Sequence, residues 1–359
     1  MFIAPVISPF VYHSHAIRVV FGAGAAASLR AEADVHKLSR LVVLCSAGRA
    51  AFARRATAAV AERCVHICDV SVPNTPRTAF DRFIADIDRY KPDGFVAVGG
   101  GSPIGLAKAA AATTKLRYIA VVTTYSGSEM APRWRIGVAA DAVSGDDRSA
   151  LPASAIYDPE LTLDLPPRTS AASGMNAIAH AVESLYGIDT NPVVQTMAEA
   201  AIRTLGASLP RIVRNPRELA ARADALYGAW LAANFRAEAG LEHAIAQRVR
   251  QWFDLDHAHT HAVVTPYAAG FNAAAAPEAM TRLKGALGAA DAARGLYDLN
   301  VRLGLPTGLK GLGLREDAVG EAVEVVSAVA GKITHPRPVS KADLADIIGQ
   351  AYAGEPPRF

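Results

Sequence analysis

Residues 94–114 read GFVAVGGGSPIGLAKAAAATT, and this stretch decides the fold. Its first five residues form an apolar run of the kind that both faces of a parallel sheet cover. Its Ala-rich second half, from residue 103 to residue 114, predicts a helix. The three glycines between them let a phosphate approach the backbone, and the free N–H groups that begin the helix favour an anion. We therefore expect a pyrophosphate-binding turn between strand and helix. A tight turn without a ligand is the alternative. The motif is not G-x-G-x-x-G, which disfavours an ordinary Rossmann enzyme.

The chain around this stretch alternates β-branched runs with helical segments up to about residue 122. Strands are predicted over 16–21, 41–45, 65–70 and 118–122, and helices over 49–64 and 79–90. This alternation is typical of a doubly wound α/β domain. Beyond residue 159 only helices are predicted, over 170–185, 192–205, 216–236, 241–252, 276–287, 289–303, 315–330 and 340–353. The fold class is thus an α/β N-terminal nucleotide-binding domain, residues 1–155, and an all-α C-terminal domain, residues 156–359.

Composition excludes several classes of function. The 359 residues carry a net charge of +3 without a basic block, so no nucleic-acid partner is expected. No apolar run is long enough to span a membrane, and the N-terminal residues lack the pattern of a signal peptide. The three cysteines, Cys45, Cys64 and Cys68, are interpreted as buried thiols of a reducing compartment, although the C-x3-C spacing leaves a metal site as an alternative. We expect a cytoplasmic protein.

A second motif, Thr123-Thr-Tyr-Ser-Gly-Ser-Glu-Met130, follows the strand predicted over 118–122. Hydroxyl groups at the carboxyl end of a strand lie where open α/β sheets bind ligands. This motif is therefore predicted to form the other wall of a cofactor cleft. Arg133 and Arg135 follow and share one side if the segment is extended. They are either solvated surface residues or bind a substrate carboxylate through a guanidinium group.

A third group of polar residues lies in the helical half. Asn176 and His180 are four residues apart on one predicted helix, and His243 and Gln247 repeat that spacing on another. His257 follows in the loop predicted after the second helix. Such a group either holds a divalent metal or lines a polar pocket for a small anionic substrate. Because the amide of Asn176 is a weak ligand, the pocket is preferred. If a metal is present, its ligands are His180, His243 and His257.

The order of these motifs resembles the iron-containing alcohol dehydrogenase superfamily, and within it the maleylacetate reductases. The resemblance rests on GGGS-P-x-G-L-A-K-A, T-T-Y-S-G-S-E-M, Y-D-P-E-L-T, S-G-M-N-A-I-A-H, F-D-L-x-H-A-x-T-H-A-V-V and the late P-R-P-V, and covers nearly the whole chain. It implies an active site in a cleft between the two domains, a homodimer, and hydride transfer from NAD(P)H to a small keto or enone dicarboxylic acid. Maleylacetate reductases also look amide-substituted at the position of Asn176 and are taken to work without a metal.

The resemblance implies two sets of site residues. The cofactor-binding set is Ser46, Asn74, Gly99, Gly100, Gly101, Ser102, Thr123, Thr124 and Ser128. The catalytic set is Asn176, His180, His243, Gln247, His257, Tyr125, Arg133 and Arg250. Ser46 stands where many relatives carry an aspartate that contacts the adenosine ribose. Without that carboxylate, and with Arg49 near, both NADH and NADPH remain possible.

The chain departs from the family pattern in one region. The pattern H-H-x-x-C-H-V-L-G-G ends in a histidine and a glycine pair where this chain has Gln247, Arg250 and Gln251, and Tyr267 replaces a further histidine. Glutamine supplies no proton near neutral pH, which would cost roughly 10²–10⁴-fold in rate unless another histidine acts. Three hypotheses follow: a reductase that uses His243 as the acid, a homologue with lyase, isomerase or cyclase chemistry, or a catalytically silent binding subunit.

Overall fold

The computed structural model describes residues 9–137, 142–235, 240–331 and 336–359. Its first half is built on one six-stranded parallel sheet and a separate two-stranded hairpin. The strands are β1 (Arg18–Phe21), β2 (Leu41–Ser46), β3 (Cys64–Ser71), β4 (Gly94–Gly99), β5 (Arg117–Val122), β6 (Arg133–Ile136), β7 (Val143–Asp146) and β8 (Ser154–Tyr157). The order in the large sheet is β1-β8-β5-β4-β2-β3, and β6 pairs antiparallel with β7.

Helices cover both faces of the large sheet. They are α1 (Leu29–Val35), α2 (Ala50–Ala56), α3 (Arg77–Tyr90) and α4 (Gly101–Thr114). Alternate residues of the central strands face different clusters: Phe95 packs with the cluster that contains Phe83, whereas Val96 packs with the cluster that contains Leu29. Because both faces are buried, the central strands are continuous apolar runs. The doubly wound α/β prediction is confirmed.

The second half of the described chain contains no strand. Its helices are α5 (Pro167–Tyr186), α6 (Pro192–Arg214), α7 (Leu219–Ala233), α8 (Leu241–Trp252), α9 (His257–Asn272), α10 (Pro277–Leu287), α11 (Ala292–Arg302), α12 (Val319–Ala330) and α13 (Lys341–Ala353). Several of these helices begin after a residue whose side chain accepts a hydrogen bond from a backbone N–H group. Asn191 does so at α6 and Asp256 at α9. The all-helical prediction is confirmed. None of the described helices is long and apolar enough to cross a membrane.

Several local predictions were wrong. The helix predicted over 49–64 ends at Ala56 and is followed by a separate 3-10 helix, Ala58–Arg63, because Thr57 between them leaves the helical conformation, with φ −110° and ψ 18°. The hairpin and β8 were not predicted. Helix α9 was also missed, since Pro266 and its histidines weaken the helical pattern, so His257 is the first residue of a helix and not part of a loop. The last residue of the helix predicted over 216–236 lies outside the described ranges.

The domain boundary at 155/156 stays a prediction. Strand β8 runs to Tyr157 and pairs with both β1 and β5, so the sheet itself extends two residues past that point.

Chain order and sheet order together locate a ligand site. The connection from β2 runs outward to the edge strand β3, and the chain then returns to place β4 on the other side of β2. In open α/β sheets, ligands bind outside the carboxyl ends of the strands at such a reversal. Here those ends are Ser46 and Gly99, and the turn after Gly99 is the glycine motif.

Candidate active site

The described residues enclose a cavity of about 450 Å³ that is lined by both halves of the chain. The N-terminal half contributes the second motif and the hairpin, and the helical half contributes residues of α5, α7 and α8. The lining residues are His13, His15, Tyr125, Ser126, Gly127, Met130, Ala131, Pro132, Arg133, Asp146, Ala177, His180, Glu183, Ala229, Ala232, Ala233, Asn234, Phe235, His243 and Gln247. This volume is typical of a small-molecule site.

The glycine turn is shaped by close contacts that exclude a side chain. Gly99 has φ +143°, a conformation that L side chains rarely adopt. A Cβ on Gly100 would lie 2.3 Å from Oγ1 of Thr124. Gly101 begins α4, whose first N–H groups have no partner within the helix. The turn therefore brings bare backbone and a helix N-terminus to the carboxyl end of the sheet, as the sequence predicted.

Two buried hydroxyl groups stand beside this turn without partners. Thr124 Oγ1 and Ser126 Oγ are shielded from solvent and make no hydrogen bond within the described part of the chain. Such groups are rarely left unsatisfied in the absence of a ligand or water. A side chain at residue 100 would collide with Thr124, and one at residue 101 would have Ser126 as its nearest neighbour. Ser126 also lines the cavity. Ser126 was missed from the sequence, although it lies inside the second motif. These residues fit a nucleotide cofactor.

The remaining predicted cofactor residues surround the same edge of the sheet. Thr123 donates its N–H to the carbonyl of Gly99, which joins the two motifs. The carbonyl of Ser128 accepts from Nζ of the buried Lys108, 2.8 Å away. The other members lie in α4 and at the strand ends: Ser102 is in the first turn of α4, Ser46 ends β2, and Asn74 follows β3 with φ 65°.

Two imidazoles meet at the helical wall of the cavity. Nε2 of His180, on α5, lies 3.3 Å from Nε2 of His243, on α8. Their ring centroids are 4.2 Å apart. The i, i+4 spacing in each helix could not reveal this contact, because it depends on how α5 and α8 both pack against α9.

Two buried carboxylates contact Nδ1 of His243, and neither of them was predicted from the sequence. Nδ1 of His243 lies 2.6 Å from Oε2 of Glu183 and 2.8 Å from Oε2 of Glu242. Glu183 also accepts from the backbone N–H groups of Gly240 and Glu242. Glu242 contacts Nδ1 of the fully buried His261 at 2.9 Å. The sequence signals were present: Glu183 lies three residues after His180 on α5, and Glu242 directly precedes His243.

This arrangement gives the two imidazoles opposite electrostatic character. Burial alone would lower the pKa of His243, but the charges of Glu242 and Glu183 raise it to about 10. Burial, followed by the positive charges of His243 and His261, lowers the pKa of His180 well below its usual value. His243 is thus a cation at neutral pH, and its Nε2–H is able to donate to the neutral ring of His180.

Of the residues that differ from the family pattern, Gln247 lines the cavity and Tyr267 does not. Arg250, one turn further along α8, is half-buried, and its Nε is shielded without a partner among the described residues. Burial and the nearby charge of Arg135 lower the pKa of Arg250. Tyr267 is fully buried and donates to the carbonyls of Thr307 and Glu355.

The other predicted catalytic residues take different positions. Arg133 lines the cavity on β6, while Arg135, on the same side of that strand, donates to the carbonyl of Gly137. Tyr125 lines the cavity with its ring, and its hydroxyl lies 3.4 Å from Nη1 of Arg222.

Asn176 and His257 are not among the residues that line the cavity. Asn176 is buried on α5, one turn before His180, with an amide oxygen that has no partner in the described structure. His257 is exposed, and its ring packs edge-on against His261, with centroids 4.6 Å apart.

Sequence and structure comparisons show which family the chain resembles. Residues 16–159 match the family described as iron-containing alcohol dehydrogenase, and residues 170–352 match the C-terminal part of the Fe-containing alcohol dehydrogenase family. The chain is 41% identical over 352 residues to a maleylacetate reductase of Sphingobium indicum, covering 97% of this chain and 99% of that protein. It is 40% identical over 350 residues to a maleylacetate reductase of Burkholderia cepacia, with 97% and 99% coverage. The crystal structure of maleylacetate reductase from Agrobacterium tumefaciens superimposes with a TM-score of 0.93 at 33% identity, covering 98% of this chain and 100% of that one.

Proposed function

This chain belongs to the iron-containing alcohol dehydrogenase family, and we propose that it is an NAD(P)H-dependent reductase of the maleylacetate reductase type. Its substrate is a small keto or enone dicarboxylic acid. One observation carries the proposal. The unpartnered hydroxyl of Ser126, beside the glycine turn, and the His180–His243 pair line the same cavity. A substrate in this cavity would therefore lie next to the cofactor that supplies the hydride and next to the imidazole pair that supplies the proton.

The first part of the reaction is cofactor binding. The N–H groups at the start of α4 and the bare backbone of Gly100 and Gly101 would hold the pyrophosphate. The hydroxyls of Thr124 and Ser126 would satisfy polar groups of the nucleotide. When bound, NAD(P)H supplies the hydride. The sequence leaves the choice between NADH and NADPH open, and Arg49, exposed three residues after Ser46, would favour the 2′-phosphate of NADPH.

The second part is protonation of the oxygen that becomes electron-rich after hydride transfer. We assign this proton to His243. Because Glu183 and Glu242 hold Nδ1, the proton on Nε2 is the one directed toward His180 and the cavity. Donation leaves His243 neutral, and the buried carboxylates then favour its return to the cation. Gln247 donates a hydrogen bond to the same oxygen but no proton.

The third part is recognition of the substrate's carboxylates. Arg133 lines the cavity and supplies one cation. Arg250 has a buried Nε without a partner in the described part of the chain and faces the like charge of Arg135. An anion that binds both guanidinium groups would offset this repulsion. We therefore propose that Arg250 binds the carboxylate remote from the reacting carbon.

The family name raises the question of iron, and the residues fit a metal poorly. Asn176 offers a neutral amide, and the carboxylates of Glu183 and Glu242 are engaged by Nδ1 of His243. To bind an ion through Nε2, His243 would have to lose the proton that Glu183 and Glu242 stabilise. We propose that the enzyme works without a metal. Chelation and dialysis should leave NAD(P)H oxidation unchanged. Loss of activity on chelation, restored by Fe²⁺ or Zn²⁺, would overturn this part.

The other hypotheses receive less support. A silent subunit would not need a cofactor cleft with buried hydroxyls available to a ligand. The relatives with 34–41% identity over nearly the whole chain are maleylacetate reductases. Reduction therefore remains the function that the site supports best.

The direct experiment is a fluorescence titration with NADH and NADPH, followed by oxidation of the bound cofactor on addition of maleylacetate. Binding of one cofactor and its oxidation by maleylacetate support the proposal. If neither cofactor binds, the reductase is excluded. If a cofactor binds but neither maleylacetate nor related keto acids oxidise it, the result favours the hypothesis of lyase, isomerase or cyclase chemistry.

Two wider predictions accompany the proposal. The homodimer rests on the family resemblance and is tested by light scattering of the purified chain. A reducing cytoplasmic compartment is consistent with the three free thiols of Cys45, Cys64 and Cys68.

A further inference from the structure

A second group of chemically active side chains lies on the edge strand β3 and the helix α3 beside it. His66 and Cys68 are two residues apart on β3, and Asp86 is on α3. Nε2 of His66 lies 3.3 Å from Oδ2 of Asp86, and the Cys68 thiol also hydrogen-bonds to Asp86. One ligand atom from each residue lies within 4.8 Å of the other two. None of the three lines the cavity.

The chemistry of this group matches one class of ligand. Imidazole nitrogen, thiolate sulfur and carboxylate oxygen are the donors that zinc takes in proteins, and zinc prefers four of them in a tetrahedron. The His66 ring stacks on Tyr90 with centroids 4.4 Å apart, which fixes the direction of its nitrogens. Cys68 is 2% exposed, whereas the side chains of His66 and Asp86 are 31% and 24% exposed. The group is therefore open to solvent on one side only.

We propose that His66 Nε2, Cys68 Sγ and the Asp86 carboxylate bind one zinc ion, with water as the fourth ligand. The ion displaces the thiol proton, which leaves to solvent, and no oxidation or reduction takes place. The ion would join β3, which has no sheet neighbour on its outer side, to α3. The site is separate from the proposed reductase chemistry and does not depend on it.

The thiols of Cys45 and Cys64 are not part of this group, because both pack with a different cluster. The pairing of β2 with β3 is irregular between Leu41 and Val42. As a result Cys64 packs against the cluster that contains Cys45, while Cys68 packs against the cluster of α3. The thiol of Cys64 donates to the carbonyl of His66. Cys64→Ser is therefore a matched control, since it removes a thiol from the same strand without removing a ligand.

The test uses Co²⁺ as a probe, because a cobalt ion bound by a thiolate absorbs by charge transfer in the near ultraviolet. The imidazole pair of the cavity has no thiol, so cobalt bound there would give no such band. We expect one equivalent of Co²⁺ to produce the band in the full-length protein and in Cys64→Ser. The band should be lost in Cys68→Ser, and added Zn²⁺ should displace the cobalt. In Asp86→Asn the apparent affinity should fall by more than roughly tenfold, since even the loss of an outer-shell partner costs about that much.

Three results would overturn the proposal: no thiolate band in the native protein, a band that survives Cys68→Ser, or one that disappears equally in Cys64→Ser. If Cys68→Ser fails to fold, His66→Ala gives the same test at a partly exposed side chain, where the band should shift and weaken. A band unchanged in both His66→Ala and Asp86→Asn would also reject the site.

Discussion

Nδ1 of His243 lies 2.6 Å from Oε2 of Glu183, on the opposite side of the ring from His180. The contact connects α5 with α8 and joins a buried carboxylate to the imidazole that lines the cavity. A buried charge pair of this kind is weak evidence for stability, because desolvation offsets much of the attraction. Its effect on protonation is large, however, and it supports His243 as the proposed acid in a chain that has Gln247 in place of the family's histidine.

The first prediction concerns pH. Because the pKa of His243 is raised from 6.5 to about 10, the ring is protonated at neutral pH and loses its proton as pH rises through about 10. Reductase activity should therefore decline on that alkaline limb. The contribution of this raised pKa to the free energy of unfolding is complete below about pH 6.5 and is lost as the pH rises through about 10. In Glu183→Gln one of the two charges that raise the pKa is gone, so the decline should begin at lower pH. The pH profile of kcat measures this shift.

The matched control for that experiment is Glu316→Gln, which neutralises an exposed carboxylate. Its pH profile should match that of the native protein. Thermal unfolding of both variants separates a change in protonation from a loss of structure. An alkaline limb that stays in place in folded Glu183→Gln would show that His243 is not the acid.

The second prediction concerns Gln247, which lines the cavity one turn after His243. Gln247→His restores a group that can donate a proton, so kcat should rise, by up to roughly 10²-fold. Gln247→Ala should lower kcat only modestly, since the amide contributes a hydrogen bond and no proton. Steady-state kinetics with maleylacetate measure both variants. Equal kcat in the native protein and in Gln247→His would show that proton transfer from this position does not limit the reaction.

The third prediction tests the pyrophosphate site without disturbing the fold. A Cβ on Gly101 would lie 3.9 Å from Ser126, an ordinary contact, so Gly101→Ala should fold normally. The same methyl group would occupy space that the proposed phosphate needs, and affinity for NAD(P)H should fall by roughly tenfold or more, which is about 1.4 kcal/mol. Fluorescence titration gives the dissociation constant.

Gly285→Ala serves as its control, because no atom lies within 4 Å of that added Cβ. It should bind cofactor normally and gain about 0.5–1 kcal/mol in stability, since glycine in a helix interior costs that much. Unchanged cofactor affinity in Gly101→Ala would place the phosphates elsewhere.

The fourth prediction concerns the anionic end of the substrate. Arg250→Ala should raise KM by about 10–100-fold, the value of a hydrogen bond to a charged group, and leave cofactor affinity unchanged. Arg248→Ala, on the exposed side of the same helix, should leave KM unchanged. A monoester of the substrate should show a smaller difference between native protein and Arg250→Ala than the diacid does. An equal effect on both substrates would rule out a carboxylate contact.

The sequence by itself determined the two-part architecture. Continuous apolar runs such as 95–98 specify a sheet covered on both faces, and the glycine turn after them predicts a pyrophosphate site at the end of that sheet. Local patterns suffice here because strand burial and turn geometry depend on neighbouring residues. The same local reasoning failed at His257, where Pro266 and the surrounding histidines concealed a helix that Asp256 caps.

Tertiary structure alone decided the chemistry of the histidine cluster. From spacing, His180 and His243 were equivalent members of one group, and Glu183 and Glu242 had no role. Packing of α5 and α8 against α9 brings His180 and His243, more than sixty positions apart, to within hydrogen-bond distance, with two carboxylates at Nδ1 of His243. Burial removes the water that would screen these charges, so the pKa of one histidine rises while that of the other falls. No spacing rule carries that information, because it depends on distances between helices that are distant in the chain.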